Sequence, residues 1–149
     1  MKTLTIVIAT ILSFSVCAKN YEQERIFADW TCYNDGANSA VFSKTQYNNS
    51  SFHEVIYTIV LKDDSGEVLE FKTEISGTWT LEKDEIIHIV DSKNLQAINE
   101  QARIYLPTLK NDIESTEPYS SFLHELSDDF MSFWSSRNGI LYCIRDRDY

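Results

Sequence analysis

The side chains able to do chemistry are few and scattered. The three histidines are His53, His88 and His124. None belongs to an H-E-x-x-H pair, because His124-Glu125 has no second histidine one turn on. His88 sits among Ile86, Ile87, Ile89 and Val90, which reads as a strand-face residue rather than a ligand. Serines are plentiful, but no G-x-S-x-G elbow presents one as a nucleophile. The acidic pairs Asp63-Asp64, Asp84-Glu85 and Asp128-Asp129 all fall in or beside expected turns, which suits solvated tips. The calcium-loop spacing is absent, and four glycines offer no phosphate-cradling loop. The expectation is a protein that is not an enzyme and uses no cofactor and no metal.

Before such residues can be positioned, the chain has to reach its compartment. MKTLTIVIATILSFSVCA carries one lysine, then a largely apolar run, then Val16-Cys17-Ala18. This is the layout of a secretory signal peptide over residues 1–18. The run is short against the roughly 20 residues of a membrane span, so no stable span is expected after cleavage. Cys17 also offers the anchoring point of a lipoprotein, although Val16 fits that pattern poorly. Residues 19–149 would then form one exported domain, periplasmic or secreted. The whole chain has net charge −10, and cleavage removes a lysine but no acid. Such a chain repels phosphate backbones, so nucleic acid is not an expected partner.

Two cysteines remain after cleavage, Cys32 in IFADWTCY and Cys143 in ILYCIRD. In an oxidising compartment an even pair reads as one disulfide, the alternative being two separate buried thiols. Bridged cysteines need Cα atoms about 6 Å apart, so the first and last strands must lie close together. A meander closed into a barrel meets that demand, as does a sandwich whose end strands face each other.

The elements between them are mostly strands. Residues 26–33 place Ile26, Ala28, Trp30 and Cys32 on one face, and residues 39–47 alternate weakly. Residues 52–62 place Val55, Tyr57, Ile59 and Leu61 on one face. Residues 67–76 turn Leu69, Phe71, Thr73 and Ile75 inward. Turns are expected at Asn34-Asp35-Gly36, Asn48–Ser51, Asp63–Gly66, Lys83-Asp84 and Arg137-Asn138-Gly139. Gly77 marks a bend or bulge. Residues 92–126 break the pattern. SKNLQAINEQAR reads as a short helix capped by Ser92, IYLPTL as extended, and PYSSFLHELS as a helical turn. The fold class expected is all-β with one or two short helices: an antiparallel up-and-down meander of eight or nine strands, closed or nearly closed into a barrel.

Gly77-Thr78-Trp79, the hairpin through Thr80-Leu81-Glu82-Lys83-Asp84, and the terminal Cys143-Ile144-Arg145 give the chain a resemblance to small exported lipocalin-like β-barrels. The resemblance covers roughly residues 26–91 and 128–146. It differs from the lipocalin pattern in that the Gly-x-Trp lies mid-chain rather than on the first strand. It implies that Arg145 packs over Trp30, and that the interior can hold a small apolar ligand. The ligand-binding residues expected are Trp79, Tyr57 and Phe71. Aromatics on strands usually fill the core, and the abundant ones here fit a filled barrel. In that case the chain is an interaction module for an envelope or extracellular protein, docking through an exposed loop at 107–127. Periplasmic lysozyme inhibitors are similar in size and acidity, but their Ser-Ala-Ser-Gly-x-x-Tyr loop is missing.

Overall fold

The computed structural model describes residues 21–62, 64–113, 116–135 and 139–147. The expected signal segment, Cys17, Asp63 and Arg137-Asn138 lie outside these. The described chain forms eight antiparallel strands in sequence order, closed into a barrel. They are β1 Ala28–Asp35, β2 Ser39–Tyr47, β3 Ser51–Leu61, β4 Val68–Glu82, β5 Glu85–Ala97, β6 Tyr119–Leu126, β7 Phe130–Ser135 and β8 Gly139–Arg145. A 3₁₀ turn, Gln23–Arg25, precedes β1, and one helix, α1 Glu100–Ile113, lies between β5 and β6. The meander expected from strand spacing is therefore the architecture observed.

Closure rests on β8 returning to β1. Cys32 lies directly opposite Cys143 in that ladder, flanked by Trp30 opposite Arg145 and Tyr33 opposite Tyr142. The cysteines are joined by a disulfide, with Cα atoms 4.0 Å apart and 111 residues of sequence between them. The Arg145 guanidinium stacks 5.0 Å above the Trp30 ring, as the resemblance implied. It also donates to the Arg25 carbonyl, while the Trp30 indole N–H donates to the Ile26 carbonyl at 2.8 Å. These bonds draw residues 23–26 across one end of the barrel. Beneath them Trp30, Phe52, Trp79, Ile86 and Met131 fill that end.

At Gly77 the β4–β5 register shifts: Ser76 faces Ser92 but Gly77 faces Val90, leaving Asp91 as the extra residue of a bulge. A Cβ on Gly77 would lie 2.0 Å from the Ile89 carbonyl oxygen, so glycine is needed for the strands to approach. The bulge also reverses which side chains of β5 point inward. Before it these are Ile86, His88 and Val90, and after it Lys93, Leu95 and Ala97.

Here the chain departs from expectation. Residues 92–97 continue as strand, paired with Phe71–Ser76, so the helix expected at Ser92 does not begin there. It begins at Glu100 and is capped by Asn99, whose Oδ1 accepts the Ala102 N–H at 2.9 Å. IYLPTL is helical despite Pro107, which lies inside α1 and forgoes one backbone bond. PYSSFLHELS holds strand β6, not a helical turn. A second bulge, with His124 as the extra residue, gives Leu123 and Leu126 the three-residue spacing that mimics a helix. The expected loop at 107–127 is thus largely helix and strand.

The other correction is the phase of β3. Its inward residues are Phe52, Glu54, Ile56, Thr58 and Val60, so Tyr57 points outward and is 38% exposed. Its register explains why. Tyr57 faces Phe42, Phe42 faces Tyr33, and Tyr33 faces Tyr142, making an aromatic row on the outer wall across β3, β2, β1 and β8.

Replacing Gly77 with alanine is expected to cost about 2–3 kcal/mol, because backbone must move to admit the methyl. Gly66→Ala is the control. Gly66 has φ +67° but no atom within 4 Å of the added methyl, so about 1 kcal/mol is expected there. Urea unfolding of both variants measures the difference.

Candidate functional site

The barrel interior is divided. One end is packed with aromatics, and the other holds a partly open cavity of about 410 Å³. Helix α1 lies at the cavity end. It packs on Leu69, Phe71 and Leu95, with Val60 and Ala97 beside them, all inward-facing residues of β3, β4 and β5. Tyr105 ties it down: Lys62 donates to the Tyr105 hydroxyl at 2.7 Å and lies 5.1 Å from the ring centroid.

Ile56, Ile75, Phe133 and Leu141 give the cavity its apolar lining. Its polar side is more specific. On β2 and β3 the inward positions Ser43, Thr45 and Glu54 replace the aliphatics a filled barrel would place there. The Thr45 hydroxyl donates to Glu54 Oε1 at 3.0 Å. The Tyr119 hydroxyl also reaches the carboxylate, and Ser43 lies near it without a well-formed bond. Glu54 sits deep in the wall yet opens to the cavity. Burial raises its pKa above the usual carboxylate value, and the hydroxyls and His53 only partly oppose that.

His88 stands beside this group. Its ring stacks on Tyr119 with centroids 4.4 Å apart and planes 9° apart, and the Phe52 ring meets it edge-on at 4.8 Å. Nε2 shares a 2.8 Å hydrogen bond with the Tyr47 hydroxyl. Nδ1 has no well-formed partner, although the Tyr119 backbone lies close enough to favour protonation slightly. Burial wins, lowering the His88 pKa to about 3. It also pushes the Tyr47 phenol well above its ordinary value, with Glu54 adding to the shift. At neutral pH both rings are uncharged. They add uncharged hydrogen-bonding groups to the polar side of the wall, which suits recognition of a guest.

The expected ligand-binding residues stand elsewhere. Trp79 is buried in the packed end, its indole N–H held by the Asn48 carbonyl at 2.8 Å. Phe71 is inward-facing but lies under α1. Tyr57 is on the outer wall. None of the three lines the cavity. The lining residues Tyr47, Glu54, His88 and Tyr119 were missed. The available signal was the polar alternation Ser43-x-Thr45 and the glutamate at the inward phase of β3. Among the described residues no three His, Cys, Asp or Glu side chains converge as a metal site would need. No described helix is long and apolar enough to cross a membrane.

The sequence matches no model of a known protein family, and no curated protein is similar to it.

His88 makes stability depend on pH in a defined direction. Its folded pKa, about 3, lies below its ordinary value of 6.5. The unfolded chain therefore binds the proton more readily, and stability falls as pH drops through that interval. The slope is about 1.4 kcal/mol per pH unit and the total loss is ~5 kcal/mol. Glu54 acts oppositely. Its raised pKa makes the folded state the better proton acceptor just above pH 4.5, so acidification there relieves some of the loss. Urea unfolding from pH 7 to pH 3.5 is expected to show the fall, and His88→Gln to flatten it.

Proposed function

We propose that this is an exported, lipocalin-like, non-enzymatic binding protein that holds a small, largely apolar molecule inside its barrel. The observation that carries the reading is the partly open cavity of about 410 Å³, in which Ile56, Ile75, Phe133 and Leu141 stand beside polar side chains that include Glu54, His88 and Lys93. Small-molecule sites have this size and set placed polar groups against apolar wall. The interior also departs from what stability alone selects. A barrel built only to be stable would fill its upper half with aliphatics, whereas Ser43, Thr45, Glu54 and Thr73 occupy inward positions here. Export to the periplasm or the extracellular space is supported by the signal-like sequence at 1–18 and by the Cys32–Cys143 bridge.

A second reading has its own support. The outer row of Tyr142, Tyr33, Phe42 and Tyr57, with Ile144 57% exposed beside it, is a surface suited to an envelope or extracellular protein.

Filling the cavity separates the two. Thr73 is inward and lines the space. The fluorescent apolar probe N-phenyl-1-naphthylamine is expected to brighten with the native protein. With Thr73→Trp the enhancement should fall at least tenfold while the unfolding midpoint holds within a few degrees. Equal enhancement by both proteins would place the probe on the outer wall and overturn the cavity reading.

A further inference from the structure

The chemistry of the cavity floor narrows its guest. We propose that the cavity selects small molecules that carry a protonated amine on an apolar body, with Glu54 as the counter-charge. This rests on the cavity reading above and deepens it.

Glu54 is the acidic group in the cavity lining, and among the described residues no cationic side chain bonds to it. Its contacts are hydroxyls, those of Thr45 and Tyr119, with Ser43 nearby. Neighbouring His88 is held neutral and supplies no positive charge. His53 is the basic residue whose charge acts on Glu54, and it belongs to the outward phase of β3. Lys93 also lines the cavity, two strands away through Ile75, and its charge is not among the influences on the Glu54 carboxyl. A carboxylate in this half-buried place is easier to ionise when a positive charge reaches it, and a guest ammonium supplies that charge. The surroundings favour the same guest. Tyr47, Tyr119 and Phe133 line the space, and aromatic faces attract ammonium groups. Ile56, Ile75 and Leu141 receive the apolar body. A guest carboxylate brought to the floor would meet Glu54 as a like charge.

Three probes with one aromatic body test this by calorimetry at pH 7.5 on the full purified chain. They are 2-phenylethylamine, 2-phenylethanol and 3-phenylpropionate. The amine is expected to bind at least tenfold more tightly than the alcohol, with the acid weakest. Glu54→Gln should bring the amine to the level of the alcohol. That variant keeps the shape and Thr45 contact, and its unfolding midpoint should not fall. Thr73→Trp should abolish binding of all three. Comparable affinities for amine and alcohol, or selectivity that survives Glu54→Gln, would overturn amine selection while leaving a general apolar carrier standing. If neither these probes nor N-phenyl-1-naphthylamine enters the barrel, the cavity reading fails and amine selection with it.

Discussion

The return of β8 to β1 is the constraint on which the rest of the molecule depends. The inside of a meander becomes an inside only when its first and last strands meet. Until then the sheet has two open edges, and its apolar face is wet. That meeting is the most remote contact in the chain, so its loop-closure entropy is the largest to overcome. It is reinforced at three neighbouring levels. Trp30 stacks under Arg145, Cys32 is bonded to Cys143, and Tyr33 leans on Tyr142. The covalent link restricts the unfolded ensemble, and in the chain-entropy model a loop of this length is worth about 4–5 kcal/mol. Arg145 extends the closure downward, since its bond to Arg25 pulls the 3₁₀ turn over the packed end.

Once closed, the barrel spends its two halves differently. The end under residues 23–26 holds the indoles of Trp30 and Trp79 and the side chains around them, and provides most of the apolar burial. The other end carries hydroxyls, a carboxylate and a neutral imidazole turned inward. Buried polar groups cost free energy unless paired, and here most pair with one another. Thr45 bonds Glu54, and Tyr47 bonds His88. Tyr119 links the sets by reaching the carboxylate while stacking on the imidazole. The floor of the cavity is therefore a connected group drawn from β2, β3, β5 and β6.

Much of the scaffold was legible in the sequence because period-two alternation and turn residues are local signals. The turns at Gly36, Ser50, Gly66 and Lys83-Asp84 and the inward phase of β4 all follow from it. The closing pair was legible from the cysteines. What failed did so for identifiable reasons. In β3 the outward residues Val55, Tyr57, Ile59 and Leu61 are more apolar than the inward set containing Glu54 and Thr58, so hydrophobicity pointed to the wrong face. In β5 and β6 the bulges at Asp91 and His124 broke the alternation and produced helix-like spacing. The floor of the cavity combines four strands brought together only by closure, and no spacing along the chain announces it.

The bulge opposite Gly77 also divides β5 into two reading frames. Of the inward residues before Asp91, Ile86 and Val90 belong to the packed end and His88 to the cavity floor, whereas those after it face the cavity and the seat of α1. A change of length at that point would invert the upper frame and leave the lower one intact. The seat of the helix can thus drift while the core beneath keeps its phase. A barrel constructed this way can exchange the roof over its contents without redesigning its foundation.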